Sequence, residues 1–413
     1  MPNIQDIERL RGLLEKGPTR TSAILRELGV SQPTFSRMWA TVRDGVVLGA
    51  GKARHYALRR NVAQVEAPIP VFRVSAQGRP ELIGYLDGLC GGFYAMTPLH
   101  GTSYDLHQGL PFFIQDLRPQ GFLGRLEPRR HRDLDLPASI LHWTDEHVLK
   151  YVAKRSDDVP GDLIFGNESY ARLIESSTAQ SNSMLSEAAR AARYPVMAES
   201  AMQGEAPGSS AGGEQPKFTA VIRRGADDSM MEHVIVKFSP PVDAPPGKRW
   251  GDLLVCEHLA SLLLGSHGIA AAKTSILASA DRIFLEVVRF DRVGFRGRRP
   301  MVTFSALDGD LGMMDQSWSA VARELGRLGQ LPKEDIATVE VLDLFGALIG
   351  NTDKHHGNIA VAWTFERQHR LLDAYDTLPM LYRPNAHGEV VDRQWTASSL
   401  DRMELLHTVM MHT

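Results

Sequence analysis

At 413 residues the chain is long for one domain, which predicts two or three domains with ample core. Its 43% apolar and 23% charged residues fit a globular protein, and the longest apolar runs, such as 341–350, are too short and too charged for a bilayer span, so no membrane partner is expected. Two distant cysteines, Cys90 and Cys256, argue against a disulfide framework or a structural zinc centre, and the net charge of −3 hides a split: residues 1–65 carry eleven Lys or Arg against five Asp or Glu, +6, which leaves −9 elsewhere.

The N-terminus, Met1-Pro2-Asn3-Ile4-Gln5-Asp6, lacks the basic flank and apolar core of a signal peptide, so a cytoplasmic location is expected. The basic segment predicts a winged helix-turn-helix over residues 1–62. Ile7, Leu10, Leu13 and Leu14 recur at helical spacing until Gly17-Pro18. A second helix, about 21–28, turns Ile24, Leu25 and Leu28 inward before the Gly29-Val30 turn. Ser31 reads as the N-cap of a third helix with Pro33 in its first turn and Phe35, Trp39 and Val42 on its inner face. Gln32, Thr34, Ser36 and Arg37 then point outward, where a recognition helix meets the major groove, and 46–48 with 55–58 make a wing around 49–54. The expected partner is duplex DNA, with Gln32, Thr34 and Arg37 reading bases and Lys52 and Arg54 on phosphates. The plainer alternative is a solvated or protein-docking basic surface.

Residues 61–70, interrupted by Pro68 and Pro70, read as a linker whose centre is 63–70. Strands are expected at 71–74 and 81–86 about a Gly78 turn, and a helix followed by a loop over 175–208. The apolar stretch 109–119 reveals no chemistry. A Gly/Ser loop, 207–217, precedes a strand at 218–224; such glycines let backbone N–H groups close on phosphates, and Lys217 adds a cation. Lys237 ends an apolar strand, where a lysine is costly unless paired; it either binds nucleotide phosphates or snorkels to the edge. Asp252 and Glu257, on different faces of the next helix, both qualify as its partner. Residues 283–292 read as a buried strand leaving into a polar turn, where a kinase hinge meets adenine.

The segment Asn351-Thr352-Asp353-Lys354-His355-His356-Gly357-Asn358, with Asp376 beyond an apolar strand, has the order that phosphotransfer requires. The first acid can orient a hydroxyl and take its proton, while the Asn oxygen and the second acid hold the Mg²⁺ that bridges ATP phosphates. Asp343, in the helix before this loop, is expected to be exposed or capping. His100, His107, His142 and His147 lack metal-ligand spacing, and 409–411 form an apolar end.

Ser210-Ala211-Gly212-Gly213-Glu214-Gln215-Pro216-Lys217, Val236-Lys237, Arg289-Phe290-Asp291-Arg292, the loop around Asp353 and Ala374-Tyr375-Asp376 together resemble the HipA-type serine/threonine kinase toxins, from about residue 71 onward. The fused helix-turn-helix is similar to the YjjJ-like (HipH) subgroup. The resemblance implies an α+β, two-lobed, protein-kinase-like (HipA-like) fold, with an N-terminal lobe at 71–290 and a C-terminal lobe at 291–413. It implies ATP and Mg²⁺ as cofactors and a phosphate loop containing Gly212, Gly213, Gln215 and Lys217. Ser210, or the adjacent Ser209, would be autophosphorylated. Lys237 would hold the α/β-phosphates, Val288, Arg289 and Phe290 the adenine, and His355 and Tyr375 would flank the nucleotide. Asp353 would be the base, and Asn358 and Asp376 the metal ligands. The implied activity is γ-phosphoryl transfer to a Ser or Thr of a protein, an aminoacyl-tRNA synthetase among family members, with an antitoxin as further partner. Two departures stand out: Lys354 and Gly357 occupy places where many members have Gly and Lys, and Val288 stands where an acid is common. Rival readings are a transcription regulator whose kinase-like body senses nucleotide or a partner, and a small-molecule kinase.

Overall fold

The computed structural model describes residues 3–62, 64–100, 104–179, 184–203, 215–225, 230–365, 368–385 and 387–395. Ser209, Ser210, Gly212, Gly213 and residues 409–411 lie outside them.

The first body contains α1 (Ile4–Leu14), β1 (Thr19–Arg20), α2 (Thr21–Leu28), α3 (Gln32–Trp39), β2 (Gly45–Leu48) and β3 (His55–Leu58), with its sheet in the order β1-β3-β2. Helical periodicity buries Leu10, Leu14, Ile24, Leu28, Phe35 and Met38 against Tyr56 and Leu58. On α3 the innermost residues are Phe35 and Met38, while Trp39 and, beyond the helix end, Val42 sit at the edge of that core. Gln32, Ser36 and Arg37 are exposed and Thr34 is half-buried, so the outward face is the expected one. Arg54, near the tip of the β2–β3 hairpin, is also exposed.

This body is docked rather than tethered. Val46, Leu48 and Ala57 of the wing share a cluster with Leu89 and Ala95 of the next sheet. Arg59 pairs with the buried Asp87 at 2.6 Å, and the Tyr104 hydroxyl lies 2.6 Å from His55 Nδ1. Within the expected linker, Val65 packs on the main core and Ile69 already begins a strand, because both are apolar and find cover.

The second body is a five-stranded antiparallel sheet, β7-β6-β5-β4-β8, made of β4 (Ile69–Val74), β5 (Pro80–Leu89), β6 (Phe93–Pro98), β7 (Asp105–Gln108) and β8 (Leu163–Phe165). Around it lie α4 (Phe112–Gln115), α5 (Gly121–Arg130), α6 (Asp145–Arg155) and α7 (Asn167–Ala179). His147 serves α6 in a capping box with Thr144.

A second five-stranded sheet, β12-β13-β11-β10-β9, follows. It comprises β9 (Leu185–Ser186), β10 (Lys217–Arg223), β11 (Met231–Phe238), β12 (Thr274–Ser279) and β13 (Arg282–Val288), with α8 (Arg190–Gln203) and α9 (Pro245–Ser266). Strand alternation sends Val234, Val236 and Phe238 onto Tyr194 and Ala198 of α8, whereas Leu285 and Val287 pack on Leu254 of α9. The range 71–290, expected as one lobe, thus carries two separate sheets.

The remainder holds β14 (Arg292–Val293), β15 (Gly297–Arg298), β16 (Val302–Thr303), α10 (Phe304–Leu311), α11 (Trp318–Arg327), α12 (Lys333–Leu348), β17 (Ala360–Ala362) and β18 (Arg370–Leu371). Val321, Val339, Leu342 and Val361 from this part share one core with Phe113, Val152 and Phe165 of the second body, so the first sheet packs with the C-terminal part. No described helix is long and apolar enough to cross a membrane.

Candidate active site

β10 and β11 pair in a register that sets Lys217 opposite Lys237. Two like charges across strands are unfavourable unless acids stand between them. The Lys237 ammonium is buried and reaches Glu257 Oε1 of α9 at 2.6 Å and the Asp376 carboxylate. This geometry settles the choice between the two acids of α9: Glu257 is buried with Leu253 and Leu254, while Asp252 is exposed. Burial alone lowers the Lys237 pKa, but Asp376 and Glu257 outweigh it and hold the amine above its ordinary value. For Asp376, burial opposes ionisation, yet Lys237 and Lys217 hold its carboxyl at about 2. Burial dominates at Glu257, whose carboxyl lies above its ordinary value despite Lys237.

The loop between α12 and β17 is fixed by its own amides. Asn351 Oδ1 accepts the Asp353 N–H at 3.0 Å, and the Asp353 carbonyl accepts Asn358 Nδ2 at 2.9 Å and the His355 N–H at 3.0 Å. The Asp353 carboxylate is half-buried and enters no hydrogen bond or ion pair among the described residues. Asn358 spends its NH₂ on that carbonyl and keeps its oxygen unclaimed among them. Asp376 has φ of 52°, a left-handed conformation that costs an L-residue energy and turns its carboxylate to Lys237.

An amide oxygen and an ionised carboxylate are hard oxygen donors. They suit Mg²⁺, which keeps waters and substrate phosphates for its remaining positions rather than an all-protein cage. No group of three or more His, Cys, Asp or Glu that could hold a metal occurs among the described residues.

A cleft of about 630 Å³, within the usual size for small-molecule sites, is lined by Lys217, Lys237, residues 287–290, His355, Gly357, Tyr375 and Asp376. The Tyr375 ring lies 5.4 Å from that of Phe290, and its hydroxyl donates to the Gly357 carbonyl at 2.7 Å. His355 Nδ1 accepts the Gly357 N–H at 3.0 Å. Gln215 is buried and its Nε2 lacks a partner among the described residues, but it does not line the cleft; neither do Asp353 and Asn358.

At the expected hinge, the N–H groups of Val288 and Arg289 are engaged by the carbonyls of Lys273 and His233, both at 2.8 Å. The Arg289 guanidinium is held by Asp291 at 2.9 and 3.0 Å and by Asp158 at 3.3 Å. Of the three residues assigned to adenine, Phe290 alone has an N–H outside the described backbone bonds, because β13 stays paired through Val288.

The opposite wall was invisible in the sequence. Asp116, Arg118 and Leu123 from the stretch around α4 and α5 line the same cleft. Asp116 clasps Thr303, accepting its N–H at 2.8 Å and its hydroxyl at 2.5 Å, and burial raises the Asp116 pKa in spite of those bonds.

Lys354 does not enter the cleft. Its ammonium donates to the side chain and carbonyl of Asp343, both at 2.7 Å, and Asp343 also accepts the Ser319 hydroxyl at 2.7 Å. Asp343 is therefore buried and paired rather than exposed, and it caps the first turn of α11 by accepting the Ser319 N–H at 3.4 Å. Gly346 makes the room, since a Cβ there would lie 2.6 Å from the Lys354 stem. Lys354→Met is expected to cost about 1.5–3 kcal/mol of stability by leaving a charge-assisted hydrogen bond unmade. A denaturant titration measures this, while nucleotide affinity should stay within about twofold.

Residues 65–174 match the YjjJ-like toxin middle domain, and residues 209–409 the HipA-like C-terminal domain. Toxin YjjJ of Escherichia coli (strain K12) is 35% identical over 390 residues, covering 94% of this chain and 86% of that protein. A solved structure of the Shewanella oneidensis MR-1 toxin-antitoxin system HipA, with HipB and its operator DNA, aligns over 83% of this chain and 84% of its own at 16% identity and a TM-score of 0.47. The Helicobacter pylori proinflammatory kinase CtkA aligns over 47% and 59% at 15% identity and a TM-score of 0.28, and both likenesses are too distant to assign an activity. The chain belongs to the YjjJ-like toxin family and carries that family's HipA-like C-terminal domain.

Proposed function

We propose that this toxin is an ATP- and Mg²⁺-dependent protein serine/threonine kinase. The observation that carries the reading is the buried Lys237, gripped by Glu257 and Asp376 at the wall of a nucleotide-sized cleft. That triad sits in one chain with an Asp353 carboxylate and an Asn358 amide oxygen that have no partner among the described residues. Lys237 and Lys217 neutralise the phosphate chain, and His355 and Tyr375 border it. Asn358 and Asp376 would hold Mg²⁺, which when bound draws charge from the phosphate oxygens. Asp353 accepts the proton of a seryl or threonyl hydroxyl as that oxygen bonds to the γ-phosphorus and the bond to the β-phosphate oxygen breaks, releasing ADP. Position and charge, rather than covalent chemistry, supply the acceleration.

The protein acceptor is of the class the family resemblance implies, aminoacyl-tRNA synthetases included. Phosphoproteomics after induction of wild type against Asp353→Asn identifies it; sites that appear equally in both would remove the assignment. Phosphate on Ser210, or on Ser209 beside it, would add about −1.5 to −2 charge next to the phosphate loop and repel ATP.

The first body is proposed to bind duplex DNA through Gln32, Thr34 and Arg37, with Lys52 and Arg54 on phosphates. The HipA relative was solved with HipB and operator DNA, and an antitoxin partner is carried over from it. Affinity should fall steeply with salt. Arg37→Ala is expected to cost about 1–3 kcal/mol on the preferred sequence and relax the preference, whereas Lys52→Ala weakens all sequences alike. Gel-shift titrations at several salt concentrations measure both, and a salt-insensitive affinity would favour a protein-docking role.

A further inference from the structure

Between α7, α8, the β10–β11 pair and the β14–β15 hairpin lies a second void of about 550 Å³. Five arginines line it, Arg193, Arg289, Arg292, Arg296 and Arg298, together with His233 and the acids Asp157 and Asp158. Their charges do not balance. Arg289 and Arg292 both bind Asp291 and Asp158, so two guanidinium groups meet two carboxylates. Arg292 also donates to the carbonyls of Gly161 and Val159.

Arg298 is the third buried guanidinium and has no acid of its own. It is 5% exposed, its Nη2 donates to the Asp157 backbone carbonyl, and its Nη1 is buried without a partner among the described residues. The neighbouring acids are taken, since Arg172 holds the Asp157 carboxylate and Arg73 the buried Asp162, each at 3.1 Å. Burial, reinforced by Arg292 and Arg289, lowers the Arg298 pKa to about 9. The backbone enforces this crowding. Arg298 sits directly opposite Arg292 in the hairpin, and the preceding Gly297 is so close to the Ala76 carbonyl that a Cβ would lie 2.0 Å from it.

A buried cation without a counter-charge is costly, and guanidinium groups pair with phosphate through parallel N–H bonds. We propose that this void is a binding site for the phosphate group of a small phosphorylated molecule, with Arg298 as its principal contact and the exposed Arg193 of α8 at its rim. Val74, Leu185 and Met197 line the same void and offer an apolar surface to the rest of the ligand. Arg289 and Asp158 border both this void and the nucleotide cleft, so occupancy reaches the hinge through one shared wall.

The test is calorimetric titration of the full chain at fixed ionic strength with inorganic phosphate and, separately, phenyl phosphate. Wild type should bind one equivalent of each, phenyl phosphate more tightly if the apolar wall takes part of a ligand and equally if the site takes free phosphate. Arg298→Met should bind at least tenfold more weakly while keeping its denaturation midpoint, because it removes an uncompensated charge. Arg193→Ala, on the surface, should weaken binding about threefold and carries the test if Arg298→Met fails to fold. Binding should persist with saturating non-hydrolysable ATP analogue present. No saturable binding by wild type, equal binding by the arginine variants, or full displacement by the analogue would overturn the proposal.

Discussion

Asp353→Asn is expected to lower phosphoryl transfer by about 10²–10⁴-fold, the usual worth of a positioned general base, while nucleotide affinity stays within about twofold. The asymmetry follows from position. The Asp353 carboxylate has no partner among the described residues and does not line the cleft, so its loss touches neither the fold nor the bound phosphates. Its backbone bonds to Asn351, His355 and Asn358 survive in the asparagine variant, which keeps the loop in place. Single-turnover transfer and calorimetric nucleotide titration separate the two effects. Transfer reduced less than about tenfold would mean that Asp353 is not the base.

Lys237→Met is expected to have the second largest effect, and on two properties at once. Removing one member of a buried ionic group leaves the others uncompensated, at a cost of about 3–5 kcal/mol. Here Glu257 is wholly buried and already lacks a partner for Oε2 among the described residues. The variant should therefore show a lower denaturation midpoint as well as lost transfer, rather than the unperturbed fold that an open polar cleft implies. Adding Glu257→Gln should restore most of the midpoint without restoring transfer. An unchanged midpoint in Lys237→Met would contradict the buried arrangement.

Elements whose pattern is local were legible in the sequence. The spacing of Leu10, Leu14, Ile24 and Leu28 gave α1 and α2, and the alternation before Lys237 gave β11. β1, a strand of two residues, has no period to read and was missed. That Asp353, Asn358 and Asp376 lie on neighbouring segments was legible, because one short span of loop and strand carries them. Features that depend on partners far along the chain were not. Whether Glu257 or Asp252 meets Lys237 is a matter of which face of α9 turns to β13, and both fit helical spacing. Asp116 acquires its place only through Thr303, and Lys354 through Asp343, in contacts that no motif records. Arg289, matched to the hinge by its motif, is instead consumed by Asp291 and Asp158. The docking of the wing on Leu89 and Ala95 was concealed for the same reason, since alternation shows that one face is apolar but not what covers it.

In the proposed reaction this cleft transfers the γ-phosphoryl group of ATP to a hydroxyl. Incubation of the purified full chain with Mg²⁺ and ATP labelled at either the γ- or the α-phosphate tests it most directly. Acid-stable label is expected on serine or threonine from γ-labelled ATP only, absent without Mg²⁺ and in Asp353→Asn. Nucleotide that binds saturably yet leaves no label on any protein in either form, with a cell extract supplied as acceptor, would contradict it.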